Sequence, residues 1–381
     1  MGHAGHPHVI TPNLDRMASA GVSFQNAVCQ NPICTPSRIS YATGQYPHNH
    51  GFFHTVGGPA IRIPTIFGHF RRNGYRTSLV GKFHTTYDFL EKDLDQYLRL
   101  DRKDNAHDAW LDDRARRHLK DSVRYPEDDT EVGRCSQSCD GRPSNLEFQE
   151  GMDYFATSRA LEIMDEFAET KKPFFSCIHW SKPHQIYSPA QNFWDLYSSE
   201  KLTLPPNTDY DPVAAGKAPH FVDQMRWWRE AKWPLFEPRT FAAARRRKLH
   251  GYLGCVSEID ALVGRVLDWL DEKRLSENTI IIYASDHGDF AGEHDIMEKS
   301  PGISSRAVTQ IPFIWRWPGR FKASHRPVQL AESIDWTTTL CSLCGIEPML
   351  TSDGLDLSPI LRGEDVTVRK FGITENLWSK C

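Results

Sequence analysis

Residues 278–289 read NTIIIYASDHGD. A short continuous run of isoleucines and Tyr283, ended abruptly by Ser285, Asp286, His287 and Gly288, reads as a strand buried on both faces that delivers a carboxylate and an imidazole at its carboxyl end. The same design occurs in residues 171–184, KKPFFSCIHWSKPH, where an apolar run leads into His184, and in residues 75–84, YRTSLVGKFH, which end on Lys82 and His84. Residues 311–319, IPFIWRWPG, supply one more strand. Between these runs lie helical patterns: 64–74, PTIFGHFRRNG, closed by Gly74, and a long stretch from about Phe241 to Lys273. Buried strands alternating with helices predict an α/β fold, a three-layer α/β/α sandwich with a mostly parallel central sheet. In such sheets ligands bind beyond the carboxyl ends of the strands, where Lys82, His84, His184, Asp286 and His287 fall.

Working toward the amino terminus, TPNLDRMASAG (11–21) has Thr11 as a cap, Pro12 at the first helical position and Gly21 as a stop. VSFQNAV (22–28) then reads as a strand that delivers the chain into NPICTPSRISYATG (31–44). There a helix is expected to begin near Ser37, which places Cys34 at or just before a helix N-terminus.

Lys and Arg total 45 against 49 Asp and Glu, a net charge of -4 that creates no field for nucleic acid or an anionic membrane. No apolar run is long enough to span a bilayer, and MGHAGHPHVI lacks the regions of a secretory signal, so the compartment stays open. Nine cysteines fit neither a disulfide framework nor a zinc knuckle. Cys135 with Cys139 and Cys341 with Cys344 lack a second pair at zinc spacing, and the latter pair reads as part of an amphipathic helix ended by Gly345. Residues from about Arg99 to Glu150, and from about Pro205 to Pro238 with Trp227, Trp228 and Trp233, read as long surface excursions.

Cys34-Thr35-Pro36-Ser37-Arg38-Ile39 carries the most chemical information. Alone, it is compatible with an ordinary low-pKa cysteine near a helix N-terminus. It is followed by Thr43-Gly44, Pro47 and Gly51, preceded by TPNLDRMASAGVSFQNA, and joined downstream by GYRTSLVGKFH, Pro183-His184, SDHGDFAGEHDIMEKS and DLSPILRGE. In this order the blocks resemble the type I sulfatases, formylglycine-dependent members of the alkaline-phosphatase-like superfamily, over nearly the whole chain.

That resemblance implies hydrolysis of sulfate esters by a nucleophile made when a formylglycine-generating or anaerobic maturation enzyme oxidises the Cys34 thiol to an aldehyde. The aldehyde hydrates to a geminal diol: one hydroxyl attacks sulfur, and the other then expels sulfate. Arg38 would hold the diol, Lys82 would clamp charge, and His84 would act as base for the elimination. His184 fits the proton donor to the leaving alcohol, and Lys299 a second clamp on the sulfate; standing alone, His184 would read as a capping or core histidine after a strand. Lys182 is either a substrate contact or an exposed charge. Asp286, His287 and residue 34 match the metal site, for Ca2+ or Mg2+, with His287 alternatively hydrogen-bonded to the sulfate or the diol. The substrate is expected to be a sulfated small molecule or carbohydrate, since the Lys182-Pro183-His184 triplet and the Asp286-His287 pair look similar to sulfatases of sugar sulfates.

The resemblance also implies a first strand ending in paired aspartates, and no Asp-Asp pair precedes Thr11. The expectation is a fragment: a catalytic domain over 1–362 that lacks its first strand, and the start of a truncated C-terminal subdomain over 363–381. Two alternatives accompany the sulfatase reading, a phosphonate or phosphate ester hydrolase of the same superfamily and a metal-deficient, non-catalytic homologue.

Overall fold

The computed structural model describes residues 1–377 apart from 56–57, 60–61, 85–89, 101–140 and 233–240. Helix α1 (Pro12–Ser19) follows Thr11 as expected, but Thr11 does not cap it. Its hydroxyl is engaged with Asp15 and the Gly2 amide. The amides of Asn13 and Leu14 donate instead to the Asp260 carboxylate, at 3.1 and 2.7 Å. A distant carboxylate thereby satisfies amides that have no intrahelical partner and meets the positive end of the helix dipole.

The single strand expected over 22–28 is two, β1 (Val22–Ser23) and β2 (Asn26–Val28), which join different sheets. Between them Phe24 leaves the strand path to pack against Phe313. Helix α2 (Cys34–Thr43) starts at Cys34 rather than near Ser37. The Ser37 amide already donates to the Ile33 carbonyl at 3.1 Å, and Pro36 is tolerated in a first turn, where no backbone N–H is needed. Gly44 closes α2 with φ 72°, a left-handed cap that glycine adopts without strain.

The chain continues through α3 (Ile66–Arg72), β3 (Arg76–Gly81), β4 (Gln96–Arg99), α4 (Met152–Glu169), β5 (Phe174–His179), α5 (Pro219–Trp227), α6 (Phe241–Glu272), β6 (Ile281–Ala284), β7 (Phe313–Arg316), β8 (Leu330–Glu332) and α7 (Asp335–Cys344). β3 pairs in parallel with β4 and β5, and β2 in parallel with β8. β7 runs antiparallel to both β6 and β1.

Alternation along the strands builds the layers. Leu79, Phe175, Cys177, Ile280 and Ile282 pack with Ile66, Phe67 and Phe70 of α3 and Trp336 of α7. Their neighbours Val80, Phe174 and Ile178 pack with Ala156, Ile163 and Phe167 of α4. Ile281 and Tyr283 likewise pack with Met17 of α1 and with Val263 and Leu267 of α6. Side chains at a period of two therefore feed two helical layers, and the fold is an α/β/α sandwich.

One feature departs from the expectation of strands buried on both faces. Among the described residues β5 pairs with β3 alone and β6 with β7 alone. The second edges of both strands line a single cavity of about 370 Å³ that reaches from Met164 and Leu267 to Cys34 and Asp286. Each residue of β5 and β6 is accordingly part-exposed or exposed, whereas β3 is buried from Thr77 to Gly81.

Cys341 is buried in the core and Cys344 packs beside it, which accords with helix burial; Cys135 and Cys139 lie outside the described residues. In the second excursion Trp228 is buried, Trp227 is 45% exposed, and Trp233 lies outside the described residues. No described helix is long and apolar enough to cross a membrane.

His50, 1% exposed, ties the chain after α2 back onto it. Its Nδ1 accepts from the Phe52 amide at 3.1 Å, so Nε2–H donates to Ser40 Oγ at 2.9 Å. Burial, aided by the charge of His48, pushes His50 down to about 3 from an ordinary 6.5. The unfolded chain thus takes up this proton first, so the stability is complete above pH 6.5 and is lost as pH falls toward 3. Urea unfolding at pH 7 and pH 5 should show the wild type losing about 2 kcal/mol more than His50→Gln over that interval. Equal losses would remove His50 from the acid response.

Candidate active site

Cys34 is 2% exposed at the head of α2, with its Sγ 3.2 Å from His287 Nε2. His287 Nδ1–H donates to the Gly288 carbonyl at 2.7 Å, which turns Nε2 toward the sulfur. Burial by itself pushes the thiol up, but the His287 charge and hydrogen bonds from His184, His287 and His84 outweigh it and bring Cys34 well below its ordinary value. His287 moves the other way: burial opposes its charge, while Asp286 and Cys34 raise it. Each shift favours the charged form of its group.

Arg38, one turn along α2, is fixed from several sides. Its Nε donates to Asp286 Oδ2 at 2.8 Å, and its Nη1 donates to the Lys82 carbonyl and lies 3.4 Å from His179 Nδ1. Ser37 Oγ donates to the Asp286 carbonyl at 2.5 Å, and Thr35 Oγ1 donates to the His84 carbonyl. Burial pushes Asp286 up, yet the guanidinium of Arg38 and His287 hold it down at about 2, so it is ionised at any working pH. The loops after β3 and β6 are therefore both pinned to the first turns of α2. Gly81 makes the turn out of β3 feasible: its φ is 110°, and a Cβ there would lie 1.9 Å from the His179 carbonyl oxygen.

Beyond β5, His184 Nδ1–H donates to the Gln185 carbonyl at 2.8 Å, leaving Nε2 toward the site, 3.0 Å from Lys299 Nζ. Lys299 is raised, because the charges of Cys34 and Glu298 more than offset its burial. Lys82 is lowered, chiefly by burial, which Cys34 opposes and Arg38 reinforces. Cys34, Arg38, Lys82, His184, Asp286, His287 and Lys299 all line the one cavity, and His84 adjoins it through its hydrogen bond to Cys34. Lys182 is not a free surface charge: it lines the same cavity, and its Nζ donates to both Glu258 oxygens at 2.6 Å in an internal ion pair.

The sequence reading missed the residues behind this row. Tyr41 OH lies 3.0 Å from His179 Nε2, and His179 backs Arg38. Their only signal was position, one helical turn after Arg38 and the last residue of β5.

Asp286, His287 and Cys34 offer ligand atoms within 4.8 Å of one another, the one such group among the described residues. Hard divalent cations such as Ca2+ prefer about six to eight oxygen ligands, and a thiolate suits softer metals. The ionised carboxylate fits such a cation, and so does residue 34 once it carries oxygen in place of sulfur. These three side chains form part of a ligand shell, not a complete one.

A family model described as sulfatase matches residues 1–346. The chain is similar to the ulvan-active sulfatase of Formosa agariphila, 27% identical over 99% of this chain and 65% of that protein. It is similar to the iduronate 2-sulfatase of Mus musculus, 27% identical over 84% of this chain and 57% of that protein. It thus spans less than two thirds of the length of either relative. Among solved structures, a phosphonate monoester hydrolase from Silicibacter pomeroyi superposes with TM-score 0.79 at 24% identity, covering 95% of this chain and 74% of that one. A protein in complex with its substrate D-glucosamine-2-N,6-O-disulfate superposes with TM-score 0.71 at 19% identity, covering 98% and 79%. At these identities the superpositions speak for a common fold. The family match over 1–346, on a chain that carries Cys34-x-Pro36-Ser37-Arg38 at the head of α2, places it among the type I sulfatases of the alkaline-phosphatase-like superfamily.

Proposed function

We propose that this chain hydrolyses sulfate esters of carbohydrates through a formylglycine nucleophile at residue 34. The observation that supports it most is the convergence of Cys34 with Arg38, His184, Lys299, Asp286 and His287 on one cavity. The Cys34 sulfur occupies the place of an oxygen of the hydrated aldehyde, so the contacts made by the thiol stand in for contacts of the diol.

In this reading Lys82 and Lys299 hold the sulfate oxygens, and Arg38 orients the residue-34 hydroxyls. A hydroxyl of residue 34 forms the new O–S bond while the bond from sulfur to the alcohol oxygen breaks. The departing oxygen takes the Nε2 proton of the doubly protonated His184 ring, whose Nδ1–H stays on the Gln185 carbonyl once Lys299 Nζ has turned from Nε2 to the sulfate. His84 then removes the proton of the second hydroxyl, the C–O bond to the sulfate breaks, and the aldehyde returns to be rehydrated. A divalent cation anchored on Asp286, with His287 and residue 34 beside it, would supply positive charge to the sulfate and lower the pKa of the bound hydroxyl.

Hydrolysis should be measured on protein made beside a maturation enzyme, with Ca2+ present, as sulfate released from a sulfated disaccharide and from 4-nitrophenyl sulfate, and as 4-nitrophenol released from a 4-nitrophenyl phenylphosphonate monoester. The expected order of kcat/KM places the sulfated sugar above the phosphonate by at least about tenfold. A higher kcat/KM on the phosphonate monoester would replace this reading with phosphonate hydrolysis. No turnover of any of the three by fully converted protein would favour the non-catalytic one.

A further inference from the structure

Two buried carboxylates that the chemistry above does not use are both directed at the segment carrying His184. Asp153, in the first turn of α4, accepts from the amides of Ser181 and Lys182 at 2.7 and 3.0 Å. Glu258, midway along α6, accepts from Lys182 Nζ through both oxygens at 2.6 Å and from the Ala190 amide at 3.0 Å. They are 5% and 2% exposed. Their carboxylate hydrogen bonds go to residues 181–190, from opposite ends of that segment. Within it, the His184 amide donates to the Ser181 carbonyl at 3.0 Å, so the residue held by Asp153 directly holds the backbone of His184. The imidazole is then aimed by its Nδ1–H bond to Gln185, which leaves Nε2 beside Lys299 and Cys34.

From this geometry we infer that Asp153 and Glu258 are positioning residues that fix His184 for proton delivery to the leaving alcohol. An uncharged acceptor could satisfy the same amides, but only an anion can keep Lys182 charged at this depth and hold both ends of the segment to one helix. The inference rests on the assignment of His184 as proton donor under the proposed function. A small displacement of Nε2 matters for a proton transfer, because a general acid works only within hydrogen-bond reach of the departing oxygen.

Leaving-group dependence separates positioning from a general structural role. A 4-nitrophenolate leaves without protonation, whereas the alkoxide of a hexose 6-sulfate needs a proton. Glu258→Gln, Asp153→Asn and His184→Ala should be compared with wild type on both esters, with circular dichroism as a check on folding. His184→Ala is expected to lose about 10²–10⁴-fold on the hexose sulfate and far less on 4-nitrophenyl sulfate. Glu258→Gln and Asp153→Asn are expected to show the same split at smaller size, about tenfold greater loss on the hexose sulfate, in kcat and not in KM.

Should Glu258→Gln fail to fold, Lys182→Met with Glu258→Leu removes both charges together and is read in the same way. Equal losses on the two esters in the Glu258 and Asp153 variants, with the split retained in His184→Ala, would overturn the inference and leave the proposed function standing. Absence of the split in His184→Ala would overturn the assignment of His184, and the inference with it.

Discussion

Cys34→Ala is expected to lower kcat/KM on sulfate esters by a factor on the order of 10⁴ or more, while the thermal midpoint shifts by no more than about 5 °C. The residue is 2% exposed, and its removal leaves His287, His184 and Arg38 in place around a missing nucleophile. Cys34→Ser is more telling. A single hydroxyl can attack sulfur, but the resulting serine sulfate has no second hydroxyl to expel the group, so one turnover should leave a stable sulfo adduct on residue 34. Peptide mass spectrometry reads both outcomes: the aldehyde in wild-type protein made beside a maturation enzyme, and the adduct in Cys34→Ser after exposure to substrate. Full activity in protein whose Cys34 is unmodified would sink the formylglycine mechanism.

For Asp286→Asn the expectation is a loss of calcium affinity by at least about 100-fold and of kcat/KM by on the order of 10³. The carboxylate is the one hard anionic group among the clustered ligands, and it also neutralises Arg38 at 2.8 Å in a setting where the two side chains are only 9% and 14% exposed. Removing its charge leaves a buried guanidinium bound to the Lys82 carbonyl alone or beside His179, a type of change that costs about 3–5 kcal/mol where no water replaces the partner. Calorimetric titration with Ca2+ and a denaturant melt separate the two losses. Because Asp286 titrates at about 2, an acid limb in the activity profile above pH 4 would have to come from other groups. Unchanged calcium affinity in Asp286→Asn would show that any cation binds elsewhere.

The layout of the site was largely legible before the structure. Apolar runs ending on Lys82, His184 and Asp286 announce strands that stop where polar chemistry begins, and the structure brings those residues together in one cavity. What the linear pattern could not carry was long-range satisfaction. Thr11 has every local mark of a cap, but Asp260, on α6, takes the amides. Residues 22–28 have the composition of one strand, and only pairing partners far along the chain, at residues 314–315 and 330–332, divide them into two. Lys182 looked like a surface or substrate charge because its partner, Glu258, sits far along the chain in a stretch whose pattern says only that it is helical. The partial exposure of β5 and β6 could not be read from their composition, since apolar runs report what a strand can bury and not what lies beside it.

The cavity between β5 and β6 has a mechanical consequence for the site at its mouth. No backbone ladder among the described residues joins the β4–β3–β5 unit to the β6–β7–β1 unit, so their relative position rests on side-chain packing and on α2. Lys82 and His184 follow strands of the first unit, Asp286 and His287 follow a strand of the second; Arg38 reaches to both, Thr35 to the first and Ser37 to the second. Residues 34–38 therefore act as a rivet across a seam, and the spacing of the reacting groups is set by how firmly that rivet holds.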